Sequence, residues 1–377
     1  MVTARMAPSA EGASAIRVLV IGQTPPPYGG QTVMIQALLS HPVEGIEYRH
    51  VRMAFSREMV DIGRASVGKV LHLLSVVTRS LWAVLSWRPD VVYYPPGGPA
   101  RIPVVRDVAV LLAVRPFARR LVLHFHAGGT SEVWRRGFRS RWAARLFRQA
   151  FFGADAAIVQ GPHAHPDGQV LEAKRTVVIA NGIADERIPP VSHDPLNVLY
   201  VGVHLEVKGV FDLMAACRRL WDAGLDFTLT TVGDVSPATR SELVDRAGPH
   251  AGRLRIKGVL TGEPKWREYA TADVLVNPSV HPSETFGLTL VEAMVFGLPV
   301  IATDWLGFRD VVVETETGRL VAPHAPPELA DALEALLRDR ELRAAYGSAG
   351  RRRYEALYTL DRFVTDVALC LREVGRA

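Results

Sequence analysis

Short runs of β-branched and other apolar residues alternate along this chain with longer stretches in which apolar positions recur every three or four residues. That alternation is the signature of parallel α/β units. In the first half it predicts strands over 17–22, 90–94, 121–126, 156–160 and 176–179, with helices over 31–39 and 101–114. The series then restarts, with strands over 197–202, 227–232, 253–257, 274–278 and 300–303 and helices over 209–223, 265–272 and 288–296. Gly297-Leu298-Pro299 ends the last of these helices. Between the two series Pro189, Pro190 and Pro195 resist regular structure. The expectation is an α/β chain of two doubly wound domains facing across a cleft, over 16–192 and 193–359, with a disordered tail over 1–15 and a helical stretch over 360–377. Such domains bind ligands at the carboxyl ends of their strands, so the cleft is the expected site.

Composition narrows the class. With 377 residues, 48% of them hydrophobic, the chain is long and apolar enough for two cores, and disorder, collagen and a disulfide scaffold are excluded. Cys217 and Cys370 are too few and too far apart for a metal cluster or a staple. The net charge of +5 hides a split: residues 1–192 hold 23 basic against 13 acidic side chains, and 193–377 hold 21 against 26. No apolar run reaches the roughly 18 residues of a spanning helix, since Lys69 and Arg79 interrupt the best stretch around 67–87. Residues 1–15 have no apolar core of a signal peptide. A cytosolic protein is expected, its basic half open to contact with a surface.

The strongest chemical signal is Glu284-Thr285-Phe286-Gly287-Leu288, followed by Glu292, set between two predicted strands. Gly287 falls at the mouth of the 288–296 helix, where free backbone N–H groups and the positive dipole end favour a phosphate. Glu292, a turn or so along, is placed to accept both hydroxyls of a ribose, and Glu284 to accept hydroxyls of a sugar beyond the phosphates. The plain alternative is an amphipathic helix whose carboxylates complement its dipole. Two carboxylates flanking a glycosidic bond are a rival reading, but a glycosidase has no phosphate for the glycine-rich helix mouth to hold.

Taken with its context, Glu284-x7-Glu292 resembles the mark of the retaining nucleotide-sugar glycosyltransferases of family 4, whose GT-B architecture pairs two Rossmann-like domains. Other stretches match in order. Thr24-Pro25-Pro26-Pro27-Tyr28-Gly29-Gly30 is similar to that family's N-terminal glycine loop near the donor phosphates, and His126 in His124-Phe125-His126-Ala127-Gly128-Gly129 matches its histidine near the donor sugar. Strand alternation puts His124 on the same face as His126, and a core or capping role for either stays open. Asn181-Gly182-Ile183 resembles the turn that closes the first domain. Lys208, in Gly202-Val203-His204-Leu205-Glu206-Val207-Lys208-Gly209, would be the point charge on the diphosphate, with a solvated lysine as the alternative. Lys257-Gly258-Val259-Leu260 resembles the segment under the nucleobase. The resemblance therefore implies His126, Glu284 and Lys208 as catalytic residues, and Gly29, Gly30, Lys208, Val259, Phe286, Gly287, Leu288 and Glu292 as the donor site. It also implies that the 360–377 helix packs back on the first domain. Three departures stand out: Val203 replaces a common arginine, the 278–284 lead-in differs in composition, and Leu306 stands where a second glycine often precedes Gly307.

No Asp-x-Asp and no Cys/His cluster is present, so no metal or other cofactor is expected, and the leaving diphosphate falls to Lys208, the helix mouth and the Gly29-Gly30 amides. In the basic half, Arg135, Arg136, Arg139 and Arg141 accompany Trp134, Phe138, Trp142 and Leu146 at every fourth position, as one helical stripe would. Either this element docks on anionic lipid or the stripe faces the core and the arginines are its wet side. Nucleic acid would need stacking aromatics or a binding module, and neither is present. The expected partners are thus a UDP- or GDP-sugar, a saccharide or lipid-linked acceptor and an anionic membrane surface. An epimerase of the same architecture and a non-catalytic nucleotide-binding relative remain alternatives on fold grounds.

Overall fold

A computed structural model describes residues 15–55, 67–189, 191 and 194–377. The expected tail over 1–15 lies, except for Ala15, outside the described residues. In the first half, β1 (Ile16–Gly22), β2 (Ile46–Arg52), β3 (Val91–Tyr94), β4 (Leu121–His124), β5 (Ala156–Val159) and β6 (Thr176–Val178) form one parallel sheet in the order β2-β1-β3-β4-β5-β6. In the second, β7 (Leu196–Val201), β8 (Phe227–Val232), β9 (Leu254–Ile256), β10 (Val274–Asn277), β11 (Val300–Thr303) and β12 (Gly318–Val321) form another, ordered β12-β11-β10-β7-β8-β9. The winding direction reverses between β1 and β3 and between β7 and β10, and at such reversals crevices open beyond the strand ends. The central strands are buried along their length, which is why they read as unbroken apolar runs.

Helices cover both faces of each sheet. On one face of the first sheet, Leu19, Tyr94 and Leu123 pack under the helices Val67–Trp87, Arg101–Val114 and Arg141–Phe151. On the other, Val18, Val20, Tyr93 and Val122 meet the helices Gly30–Ser40 and Leu360–Arg376. The chain therefore returns from the second half to complete the first. The outgoing and returning segments run side by side: Ile183 N–H donates to Tyr358 O at 3.0 Å and Leu360 N–H to Ile183 O at 3.0 Å.

The structure corrects three expectations. The strand read over 121–126 stops at His124, so His126 sits in the turn beyond it. The lysine and arginine of 67–87 do not interrupt the helix, which runs unbroken from Val67 to Trp87. By length and composition its Val70–Trp87 stretch could cross a membrane, yet Val76, Ala83, Val84 and Trp87 are buried against the sheet. The aromatic stripe is not one helix, because Gly137 takes a left-handed φ of 76° and divides it into Thr130–Arg135 and Arg141–Phe151. Trp134 and Phe138 pack on the core with Phe147, whereas Trp142 and Leu146 point outward.

Candidate functional site

The loop between β10 and the helix Leu288–Val295 builds one wall of the cleft. Gly287 caps that helix with φ 87°, a conformation side chains resist, and a Cβ there would lie 2.6 Å from the Phe308 ring. The first amides of the helix are thereby presented at the strand ends. Opposite them, the turn after β7 carries Lys208, whose Nζ lies 2.7 Å from Glu284 Oε2. Val280 N–H donates to Val207 O at 2.9 Å and ties the two loops together. Burial alone would raise the Glu284 carboxyl, but the Lys208 ammonium and its hydrogen bond override it and hold the pKa below the usual carboxylate value. Glu284 is thus a carboxylate at neutral pH. Burial and Lys208 together lower His281 beside it, which stays uncharged.

Glu292 makes a second such pair one turn deeper. Lys265 Nζ lies 2.6 Å from Oε1 and the Tyr269 hydroxyl donates to Oε2 at 2.5 Å. Lys265 also sits over the Trp266 ring, 4.1 Å from its centroid. Each carboxylate oxygen accepts one of these bonds and has lone-pair capacity for a second. Sequence reasoning alone misses Lys265 and Tyr269. The available signal is scarcity, since only five lysines occur in the chain and this is one of them.

The facing wall is neutral. His124 and His126 stack with ring centroids 3.8 Å apart. Tyr93 Oη lies 2.6 Å from His124 Nδ1 and 3.4 Å from His126 Nε2, and Gln160 Nε2 lies 2.8 Å from His126 Nδ1 and 3.1 Å from Asn181 Oδ1. With the Gln160 amide donating, His126 Nδ1 is the acceptor and Nε2 carries the proton. Burial pushes the His126 pKa down to about 3, and burial together with His126 lowers His124 as well, so both rings are uncharged at neutral pH. No motif marks Gln160 or Tyr93, and Asn181 reads in the sequence only as a turn.

The two walls touch. Thr285 Oγ1 donates to His126 O at 2.8 Å, His165 Nε2 lies 2.7 Å from Pro282 O, and Gly30 approaches Leu288, whose Cδ1 would be 3.3 Å from a Cβ there. The Gly29 N–H donates to Thr32 Oγ1 at 3.0 Å, and Arg52 holds the proline loop through the carbonyls of Thr24 and Pro25 at 3.2 and 2.9 Å. His126, Lys208, Glu284, Gly287, Leu288, Gly29 and Gly30 therefore lie on segments that meet at one place. Glu292 lies one turn into the helix that Gly287 caps. Phe286 is different: its side chain is in the second core, edge-on to Tyr358, which leaves only its backbone for a ligand. Val259 is exposed on the loop after β9. No cation replaces the arginine at Val203 through a described hydrogen bond; its carbonyl accepts from Tyr200 Oη at 2.8 Å. Leu306 adopts φ 41°, the left-handed backbone that a glycine would take without strain. Among the described residues no group of three His, Cys, Asp or Glu side chains is placed to hold a metal ion.

Two parallel sheets of this winding, facing across a cleft, define the GT-B architecture. Sucrose-phosphate synthase from Thermosynechococcus elongatus matches it with a TM-score of 0.74 at 20% identity, over 96% of this chain and 99% of that one. Anabaena HepE in complex with UDP and glucose matches at 0.67 and 18% identity, over 95% and 99%. Residues 184–353 match the family model of glycosyl transferases group 1. The phosphatidyl-myo-inositol mannosyltransferase of Mycolicibacterium smegmatis is 36% identical over 151 residues, 40% of this chain and 38% of its own length. The D-inositol 3-phosphate glycosyltransferase of Geodermatophilus obscurus is 29% identical over 296 residues, 64% of this chain and 64% of its own. The chain thus spans less than half the length of the mannosyltransferase it matches.

Proposed function

We propose that this protein is a glycosyltransferase that moves a sugar from a UDP- or GDP-sugar to a saccharide or lipid-linked acceptor with retention of anomeric configuration, at the cytoplasmic face of a membrane. The observation that carries the reading is the convergence of the Lys208–Glu284 pair, the Gly287 helix mouth and Glu292 on one wall, with His126 facing them. Lys208 and the helix amides neutralise the diphosphate as its bond to the anomeric carbon breaks. The acceptor oxygen bonds to that carbon on the same face, and its proton passes to the departing phosphate oxygen. Glu292 holds the ribose hydroxyls, Glu284 orients the sugar, and the uncharged His126, with the proton on Nε2, donates to it. Val259 and the backbone of Phe286 and Leu288 complete the donor seat. No metal is required in this scheme, because lysine and the helix end supply the positive potential. The arginines Arg135, Arg136, Arg139 and Arg141 face the acceptor side, where an anionic membrane matches their charge.

A thermal-shift and hydrolysis screen across UDP- and GDP-sugars tests the reading. Stabilisation and slow hydrolysis with one donor are expected; no response to any nucleotide sugar would overturn it, and interconversion of free nucleotide sugars without an acceptor would replace transfer by epimerisation.

A further inference from the structure

The three helices on one face of the first sheet lie side by side, Val67–Trp87 against Arg101–Val114 and the latter against Arg141–Phe151. Their inner faces are core, but their outer faces are unusually apolar. Leu71, Leu74 and Trp82 are 63%, 58% and 72% exposed on the first, Val105 is 66% exposed on the second, and Trp142 and Leu146 are 72% and 42% exposed on the third. Contiguous exposed apolar surface of this kind marks an interaction site. Its charge is predominantly basic, the acids Glu132 and Glu172 being paired with Arg135 and Arg148. Helices Val67–Trp87 and Arg141–Phe151 contain no Asp or Glu, and the single acid of Arg101–Val114, Asp107, is buried and paired with Arg106 at 2.7 Å. Arg136, Arg139, Arg141 and Arg145 are exposed and make no salt bridge to a described residue.

We infer that this outer surface docks on an anionic lipid bilayer, lying in the interface with its leucine and tryptophan side chains among the acyl chains and its arginines at the headgroups. The combination of an apolar stripe with arginine-rich flanks whose few acids are already paired is what such an interface selects. Helix Val67–Trp87 lies on the bilayer and does not cross it, because its inner face is committed to the sheet. Right-handed crossovers run these helices antiparallel to the strands, so their first turns, with Leu71, Leu74, Val105 and Trp142, lie at the end where the strands open into the cleft. A lipid-borne acceptor at the bilayer surface is thereby brought to the cleft rim. This rests on the membrane-facing acceptor side proposed above, and it moves the principal contact from Arg135, Arg136, Arg139 and Arg141 to the apolar helix faces beside them.

The test is co-sedimentation of the full chain with phosphatidylcholine vesicles with and without roughly 30 mol% phosphatidylglycerol. Binding to the anionic vesicles is expected, weakened at least about tenfold by Leu71→Glu with Leu74→Glu, and weakened by salt and by Arg139→Ser with Arg141→Ser and Arg145→Ser. Leu369→Glu, at an exposed leucine on the opposite side of the sheet, is expected to bind as the parent does. Trp82→Ser and Trp142→Ser repeat the test on single exposed side chains should the double variant unfold. Failure to bind either vesicle overturns the inference, as does unchanged binding by the leucine variants. A parent protein that elutes as a dimer, which Leu71→Glu with Leu74→Glu dissociates, would assign the surface to a second copy. Nucleotide-sugar stabilisation measured without lipid reports separately on the donor reading.

Discussion

The two walls of the cleft are built on opposite principles. The first domain is the basic one, yet its wall is an uncharged network of two stacked imidazoles, a phenol and two amides, and the arginines of its helix Arg141–Phe151 and the segment before it lie on the outside. The second domain is the acidic one, yet it places two lysines at the cleft, each within 2.7 Å of a glutamate. Net charge therefore does not locate chemistry. A basic half can keep its site neutral and carry its charge on a surface, and an acidic half can place ion-paired lysines at two points of its site. The arrangement suits the proposed donor, whose charge is all in the diphosphate: ions would face the phosphates and hydrogen-bonding rings the sugar.

Breaking the ionic wall is expected to have the largest effect. Glu284→Gln and Lys208→Ala each lower turnover by about 10²–10³-fold, and the double variant is no worse than either, because the pair acts as a unit. Additive losses in steady-state kinetics would show two independent residues. Next in size, Glu292→Ala weakens donor binding by roughly 10–100-fold through lost charge-assisted hydrogen bonds. Unchanged donor affinity by calorimetry would remove the ribose assignment.

The neutral wall is exposed by acid. His126 has a folded pKa of about 3, below its unfolded value of 6.5, so the unfolded chain binds the extra proton between the two. Stability is retained above pH 6.5 and lost as pH falls toward 3, by up to about 1.4 kcal/mol per pH unit per histidine. Glu284, held below its ordinary 4.5, adds to the loss only as pH falls through that unfolded value and below, so the interval from pH 7 to 5 reports mainly on the histidines. Urea melts at pH 7 and 5 should show His126→Gln flattening the loss, and an unaltered slope would mean the rings already titrate in place. The smallest expected effect is none: EDTA leaves turnover unchanged, and a loss restored by Mg²⁺ would show that the lysines alone do not balance the diphosphate.

Much of the fold is legible in the sequence where a local rule governs. Buried strands such as Leu121–His124 and Val300–Thr303 announce themselves as apolar runs, and Gly287 before Leu288–Val295 announces a cap. Strand β2 escapes sequence reading because it lies at the sheet edge, where Glu47, Arg49 and Arg52 interleave with Ile46 and Val51 and break the apolar run. Helix Arg340–Leu357 escapes it for a tertiary reason. Its Gly347 and Gly350 read as helix breakers, but a Cβ at Gly347 would lie 1.9 Å from Gly297 O, so the glycine is there to let the chain approach. In the site, Glu284, Gly287 and Glu292 share one short segment, and their spacing can be read directly. Lys265 and Tyr269 reach Glu292 from 27 and 23 residues away, and Tyr93 reaches His124 from 31. Those partnerships depend on which helix packs on which and which strand lies beside which, and no local pattern encodes them.

The return of helix Leu360–Arg376 to the first domain also sets an order of assembly during synthesis. Phe363, Val367 and Leu371 cover Val18, Val20 and Tyr93, so that face of the first sheet stays incomplete until the whole second domain has left the ribosome. At roughly 5–20 residues per second the wait is about ten to forty seconds. For that interval the nascent first domain presents part of this sheet face to solvent, and chaperone demand should fall on the half of the protein that is made first.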